Sequence, residues 1–191
     1  MLSSRNHLPP KIAYVEQLTL QRSALEGVIE TPLGALRFYS VHLGHVGAAE
    51  RAAQIQALMA IFFDGPERGG VVSGSKASRH WTADQIPPPM PVSAVLLGDF
   101  NLFPLDAENE LLVGGTDTKY GRLITTRHLV DAWSAAGRAL TDGHTCFAHA
   151  GAAPRIDYAL VTPDLAPRIL SVTVDADAQG SDHQPVRLDL T

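Results

Sequence analysis

The sequence is poor in cysteine and has no long apolar run. Its 191 residues contain a single cysteine, Cys146, so no disulfide bond can form within the chain. No apolar segment approaches the length of a membrane-spanning helix, and residues 1–10 lack the apolar core of a signal peptide. Together these absences favour a cytoplasmic protein.

The chain also lacks an excess of positive charge. Its formal net charge is −5, with 15 lysines and arginines against 20 acidic residues. Proteins that bind duplex DNA through many phosphates usually carry a basic surface, so this balance disfavours a dedicated binder of double-stranded DNA. The hydrophobic content of 45% and the charged content of 18% are ordinary for a globular domain. The length fits one domain over residues 1–191.

Hydrophobic periodicity predicts more strands than helices. Two strands with a short break are predicted over residues 11–30, and a turn containing Pro32 and Gly34 leads to a return strand over residues 35–43. An apolar stripe at helical spacing predicts a helix over residues 46–63. Further predictions are strands over residues 92–98, 156–162, 169–174 and 186–190, a short helix over 106–113, a strand end running into a helical turn over 129–136, and a long surface loop over 64–91. Without a regular strand–helix alternation, this pattern indicates an α+β fold.

A pair of polar residues follows the buried strand predicted over residues 92–98. Asp99 and Asn101 are two residues apart in a Gly-Asp-Phe-Asn segment, so their side chains project the same way if strand geometry persists. A carboxylate beside an amide suits a hard cation and a phosphoryl oxygen. The alternative is an ordinary turn, in which Asp and Asn are common.

Three further segments carry candidate groups. Asp182 and His183 precede the last strand, where the carboxylate suits a metal ion and the imidazole suits proton transfer near neutral pH; the alternative is a surface histidine in a loop. Asp157 lies on an apolar strand and needs a partner. We predict that it orients His183, and the alternative is a salt bridge with a nearby arginine. His42, at the end of the return strand, is a candidate donor to a phosphate oxygen, or else a structural residue.

These residues fall within a longer ordered set of short motifs. The set comprises residues 1–9, Val-His-Leu at 41–43 followed by Arg51 and Gln54, and residues 97–101, 129–133, 143–145, 155–158 and 181–186. In this order the motifs resemble those of the endonuclease/exonuclease/phosphatase family, which includes DNase I-like nucleases, sphingomyelinases and inositol-phosphate phosphatases. The resemblance covers nearly the whole chain.

The resemblance implies a four-layer α-β-β-α sandwich, the DNase I-like fold, with the site at one edge of the two sheets. It implies in-line attack of water on a phosphodiester or phosphomonoester. The implied cofactor is Mg²⁺ or Mn²⁺, with Asp99, Asn101 and Asp182 as metal ligands.

The resemblance also implies a catalytic role for five residues. Asp99 would act on the attacking water or near the leaving group, and Asn101 would bind the scissile phosphate. His183, held by Asp157, would be the general base or would stabilise developing charge. His42 would contact the phosphate or the leaving group.

Two parts of the family pattern are not found in this sequence. They are an early strand bearing an Asn and a later strand-end Glu, in a "Q-E" context, that is a principal metal ligand. The chain is therefore expected to lack the first strands and helix of the fold, to bind metal poorly, and to expose apolar surface and strand edges. Three explanations stay open: a misplaced start that shortens an active enzyme, a degenerate remnant, and a fragment completed by another chain.

The main functional hypothesis is a Mg²⁺-dependent hydrolase of phosphate esters. A DNase-like endonuclease or exonuclease is the alternative within that class, and a non-catalytic remnant or binding module is the alternative outside it. The substrate is a small molecule, a lipid headgroup or nucleic acid, and the acidic balance slightly disfavours duplex DNA. No stable protein partner is predicted.

Overall fold

The computed structural model describes residues 22–69, 90–147 and 155–191. The strands in these ranges are β1 (Ala24–Thr31), β2 (Gly34–His42), β3 (Ala94–Asp99), β4 (Thr116–Asp117), β5 (Gly121–Arg122), β6 (Val130–Asp131), β7 (Asp157–Val161), β8 (Ile169–Val174) and β9 (Val186–Leu190). The helices are α1 (Ala48–Arg68), α2 (Glu110–Val113) and α3 (Ala132–Ala135), with 3₁₀ turns at Ala107–Asn109 and Ala166–Arg168. None of the helices in the described ranges is long and apolar enough to cross a membrane.

Five strands of the described ranges form the main sheet, in the order β1-β2-β3-β7-β6. β2 runs parallel to β3, and every other neighbouring pair is antiparallel. The predicted hairpin is confirmed: β1 and β2 pair from Thr31–Gly34 onward around Pro32 and Leu33. Gly34 has φ +98°, a left-handed conformation that glycine adopts without steric cost. The parallel β2–β3 pair brings the carboxyl ends of two strands to one edge of the sheet.

The two faces of the sheet have separate cores because alternate side chains along a strand point to opposite faces. In β3, Leu96 packs with Ile55 and Phe62 of α1, whereas Val95 packs with Leu36 on the other face. The predicted apolar stripe of α1, which comprises Ile55, Leu58, Met59 and Phe62, is buried as expected. α1 therefore covers one face of the sheet.

α1 continues five residues beyond its predicted end, so the prediction of a loop from residue 64 was wrong there. The helix includes Pro66, which cannot donate a hydrogen bond to the carbonyl of Phe62, four residues earlier. That carbonyl accepts a hydrogen bond from Arg37 Nη1 on β2 instead, at 2.8 Å. A buried arginine thus compensates for the proline, and the helix ends at Arg68, capped by Gly69, whose φ is +70°.

The second face of the main sheet packs against the β8–β9 ladder. Leu188 and Leu190 of β9 contact the cluster of Val95 and Val161, and Val172 of β8 packs with Trp133 and Ala159. An apolar trough of about 450 Å³ opens between β9 and the strands β2 and β3. Helix, sheet and second sheet are thus stacked in layers, and the predicted α+β class is confirmed.

The remaining element predictions are largely confirmed. β8 and β9 have the predicted bounds, β3 and β7 lie within two residues of theirs, and β6 runs directly into α3. The short helix predicted over 106–113 is a 3₁₀ turn followed by α2. The small β4–β5 hairpin was not predicted. The predictions over residues 1–21 and 70–89 lie outside the described residues.

Candidate active site

Three of the predicted site residues form a row across the edge of the main sheet. His42 ends β2 and pairs in register with Asp99, which ends β3. Asp99 in turn pairs in register with Asp157, which begins β7. Three chain segments far apart in sequence therefore place their polar side chains side by side at one edge.

Asp99 and Asn101 are joined by hydrogen bonds. Asp99 Oδ1 accepts from the backbone N–H of Asn101 at 2.8 Å, and its Oδ2 lies 3.2 Å from Asn101 Nδ2 and 3.3 Å from His42 Nε2. Asn101 has φ +50°, so the chain turns sharply after β3 and the strand geometry does not persist. The amide Nδ2 also donates to the carbonyl of Leu43 at 2.9 Å, which ties the turn to the end of β2.

Asp157 and His183 form the predicted pair. His183 Nδ1 lies 2.9 Å from Asp157 Oδ2, a hydrogen-bond distance between an imidazole and a carboxylate. The structure therefore gives Asp157 a histidine partner and not the arginine that was the alternative. The neighbouring Arg155 instead pairs with the buried Asp131, at 3.0 Å between Nη2 and Oδ2. The bond at Nδ1 leaves His183 Nε2 as the ring nitrogen available to a substrate.

Thr145 connects the two halves of this pair and was not identified as a site residue from the sequence. Its buried hydroxyl oxygen accepts from the backbone N–H groups of Ile156 and Asp157, at 3.1 and 3.0 Å. Its carbonyl accepts from the N–H of Gln184 at 2.7 Å. The loop that carries His183 is thereby fixed to the start of β7. The signal was present as Gly-His-Thr at residues 143–145, a motif of the resemblance to which no role was given.

The local environment raises the pKa of both members of the pair. Burial is the main cause for Asp157, and it outweighs the hydrogen bonds from Thr145 and His183, which lower the carboxyl pKa. For His183, burial acts to lower the pKa, but the hydrogen bond to Asp157 and the negative charges of Asp157, Asp99 and Asp182 outweigh it. The imidazolium form of His183 is therefore favoured above the ordinary pKa of 6.5.

Replacement of Asp157 by asparagine should lower the pKa of His183. Protonated His183 adds its full stability to the fold below pH 6.5, and this stability is lost as the pH rises through the higher pKa of the folded state. The thermal unfolding temperature should therefore depend less on pH in the variant. NMR titration of the His183 ring in EDTA-containing buffer measures the pKa directly. Asp189→Asn, on β9 and outside the pocket, is the matched control, and equal His183 pKa values in the two variants would contradict the assigned cause.

These side chains open into one pocket of about 600 Å³. Five of the six predicted site residues line it, namely His42, Asp99, Asn101, Asp182 and His183, with Asp157 behind His183. Sequence reasoning missed several pocket residues: Arg22, His45, Arg51, Phe103 and Asp106. The pocket combines carboxylates with cationic and potentially cationic side chains, which is the chemistry that a phosphate ester requires.

Arg51 had a signal in the sequence, because it lies in the motif that joins it to Gln54. In the structure, Gln54 Oε1 accepts from the N–H of Gly44 at 2.7 Å, which fixes the turn after β2. Arg51 Nη2 and Nε donate to Glu108 Oε1 at 2.6 and 3.0 Å. The carboxylate of Glu108 therefore holds the guanidinium at the pocket wall.

A metal site is not complete within the described residues. In ranges 22–69, 90–147 and 155–191, no group of three or more His, Cys, Asp or Glu side chains is arranged to hold a metal ion. Both oxygens of Asp99 already face hydrogen-bond donors of Asn101 and His42. Asp99, Asn101 and Asp182 alone do not complete the near-octahedral set of oxygens that Mg²⁺ needs.

Comparison with known proteins identifies the fold. No protein-family model matches the sequence. A stretch of 36 residues, 19% of this chain, is 56% identical to DNA-(apurinic or apyrimidinic site) endonuclease 2 of Schizosaccharomyces pombe and covers 7% of that protein. The part of the relative that the chain spans is therefore small.

Two solved structures resemble nearly the whole chain. The mannosyl-6-phosphatase of Bacteroides thetaiotaomicron aligns with a TM-score of 0.57 at 19% identity, over 89% of this chain and 57% of that one. The 3′ phosphatase NExo from Neisseria, bound to a product DNA hairpin, aligns with a TM-score of 0.58 at 20% identity, over 100% of this chain and 72% of that one. The chain thus has the DNase I-like fold of the endonuclease/exonuclease/phosphatase proteins.

Proposed function

We propose that this chain binds a phosphate ester in the pocket and hydrolyses it by attack of water. The observation that carries the proposal is the Asp157–His183 pair, which opens into the same pocket as Asp99, Asn101 and His42. A histidine oriented by a carboxylate is a recurring device for moving a proton during catalysis.

In the proposed reaction, the oxygen of water attacks phosphorus while the bond from phosphorus to the leaving oxygen breaks. The leaving oxygen departs with the bonding electron pair. Nε2 of His183 takes the proton of the water, and Asp157 holds the ring and stabilises the imidazolium that forms. In the free pocket the N–H groups of Asn101 and His42 face Asp99, and in the proposed complex they turn to the phosphoryl oxygens, where negative charge develops. Asp99 holds both side chains at the pocket until the phosphate binds.

Mg²⁺ or Mn²⁺ is retained as a proposed cofactor, with Asp99, Asn101 and Asp182 as proposed ligands. When bound, such an ion would polarise a phosphoryl oxygen. Because the described residues do not complete its coordination, no step of the reaction is assigned to it. Activity in Mg²⁺, in Mn²⁺ and in EDTA tests the dependence directly.

Hydrolysis of bis(p-nitrophenyl) phosphate tests the proposed function. The wild-type chain is expected to release p-nitrophenol, and an Asp182→Ala, His183→Ala double variant is expected to lose at least about 100-fold in rate, since positioned proton transfer contributes roughly that much. Asp189→Ala is the control for a removed carboxylate outside the pocket. If the wild type releases no product under any metal condition, the hydrolase proposal is wrong for this chain, and a non-catalytic binding module becomes the better account.

A nuclease is the second candidate function. The observation in its favour is the 36-residue match to a DNA endonuclease, together with the fold shared with a phosphatase solved on DNA. Cleavage of single-stranded and duplex oligonucleotides distinguishes this candidate from a phosphatase of small molecules. Single strands are expected to be preferred, because the net charge of −5 disfavours tight binding of duplex.

A further inference from the structure

Phe103 is an exposed aromatic residue held in a fixed position at the pocket. It follows the Asn101 turn, its side chain is 50% exposed, and it lines the pocket. Its backbone N–H donates to Asp106 Oδ2 at 2.8 Å, and its carbonyl accepts from the N–H of Asp106 at 3.0 Å. The next residue, Pro104, is held through its carbonyl by Asn109 Nδ2 at 2.8 Å. The ring is thus presented by a rigid loop.

The pocket also has room and charge for a ligand larger than phosphate. Its volume of about 600 Å³ falls in the usual range for small-molecule sites. Arg51, held by Glu108, offers positive charge to a phosphate in the pocket. The apolar ring of Phe103 lines the same pocket. The pocket therefore suits a ligand that has both an anionic group and a flat apolar group.

We propose that Phe103 stacks on a nucleobase and that the pocket prefers nucleoside phosphates to phosphates without a base. The inference rests on the proposed function, since it takes the part of the pocket beside Asp99 and His183 as the phosphate site. A benzyl ring offers its face to any base, and base–aromatic stacking changes affinity by about 5- to 150-fold per base. Sugar phosphates lack the planar group and gain nothing from the ring.

The test compares two ligands that differ only by a base. Binding of adenosine 5′-monophosphate and of ribose 5-phosphate is measured by calorimetry on the wild type and on Phe103→Ala, Phe103→Leu and Leu105→Ala. Leu105 is the matched control, because it is 79% exposed in the same loop and is not among the residues that line the pocket. Phe103→Leu keeps apolar bulk without an aromatic face, so it tests stacking should the alanine variant fold poorly.

The wild type and Leu105→Ala are expected to bind adenosine 5′-monophosphate about 10-fold more tightly than ribose 5-phosphate. Both Phe103 variants should bring that ratio close to one by weakening only the nucleotide. Equal affinities in the wild type, no measurable binding of the nucleotide, or a preference that survives in both Phe103 variants would overturn the proposal.

Two further results separate this inference from its alternatives. If phosphatidylcholine vesicles bind the wild type and lose affinity with both Phe103→Ala and Leu105→Ala, while the two phosphates bind equally, the loop contacts lipid and the base proposal fails. The proposed hydrolysis is judged separately with bis(p-nitrophenyl) phosphate. Base preference without hydrolysis refutes the catalytic proposal alone, and hydrolysis without base preference refutes the role of Phe103 alone.

Discussion

Replacement of Gly98 by alanine is expected to prevent the chain from folding stably. Gly98 has φ +139°, and a Cβ atom there would lie 1.9 Å from the carbonyl oxygen of Val41 on the neighbouring strand β2. Backbone cannot move aside as a flexible side chain can, so β2 and β3 would have to separate at the centre of the sheet. We expect a loss of more than about 4 kcal/mol, a large fraction of the stability of an ordinary domain.

Chemical denaturation followed by circular dichroism measures this loss. Gly27→Ala is the matched control: it makes the same substitution in strand β1, where an added Cβ meets nothing within 4 Å and φ is not in the left-handed range. The control should change the free energy of unfolding by less than about 1 kcal/mol. Similar midpoints for the two variants would show that the close approach of β2 and β3 at Gly98 is wrong.

The second large effect is expected from the Asp157–His183 pair, as a non-additive loss of activity. Alanine at His183 should lower kcat/KM for bis(p-nitrophenyl) phosphate by about 10²- to 10⁴-fold, because the proton acceptor is removed. Alanine at Asp157 should also lower it, by misorienting the ring. In the His183→Ala background, Asp157→Ala should have little further effect, since a residue that acts through another has nothing left to orient.

A four-variant cycle, with kcat and KM measured separately, tests this coupling. The losses should appear in kcat more than in KM, because the proton moves only in the transition state. His128→Ala, at a half-buried histidine outside the pocket, should keep wild-type rates and so controls for the removal of an imidazole. Two losses that multiply fully in the double variant would mean that Asp157 and His183 act independently, contrary to the 2.9 Å contact between them.

The sequence predicted the elements and the polar site residues better than it predicted their surroundings. Asp99 ends β3, Asp157 begins β7 and His183 precedes β9. The periodicity located each of these strands within two residues, so the place of the three side chains at a sheet edge could be anticipated. The pairing of Asp157 with His183 rather than an arginine came from chemical precedent and matches the geometry. Their catalytic roles stay predictions.

Long-range contacts account for what sequence reasoning missed. α1 continues through Pro66, and Arg37 of strand β2 donates to the Phe62 carbonyl that the proline leaves without its helical partner. Phe103 belongs to the pocket because its loop lies beside α1 there, and no local pattern reveals that contact. Thr145 lies in a recognised motif, but the two backbone N–H groups that its hydroxyl binds, those of Ile156 and Asp157, lie eleven and twelve residues away in the sequence.

The burial of Cys146 offers a means of observing motion at the pocket. It is the only cysteine in the sequence, it is 1% exposed, and its backbone forms a bridge with that of His183. A thiol reagent can reach the sulfur only while the segment that carries it opens. The rate of labelling would thus report how often this wall of the pocket opens, in the way that amide exchange reports local unfolding. A ligand that holds His183 in place would slow that chemistry, so occupancy could be followed without any turnover.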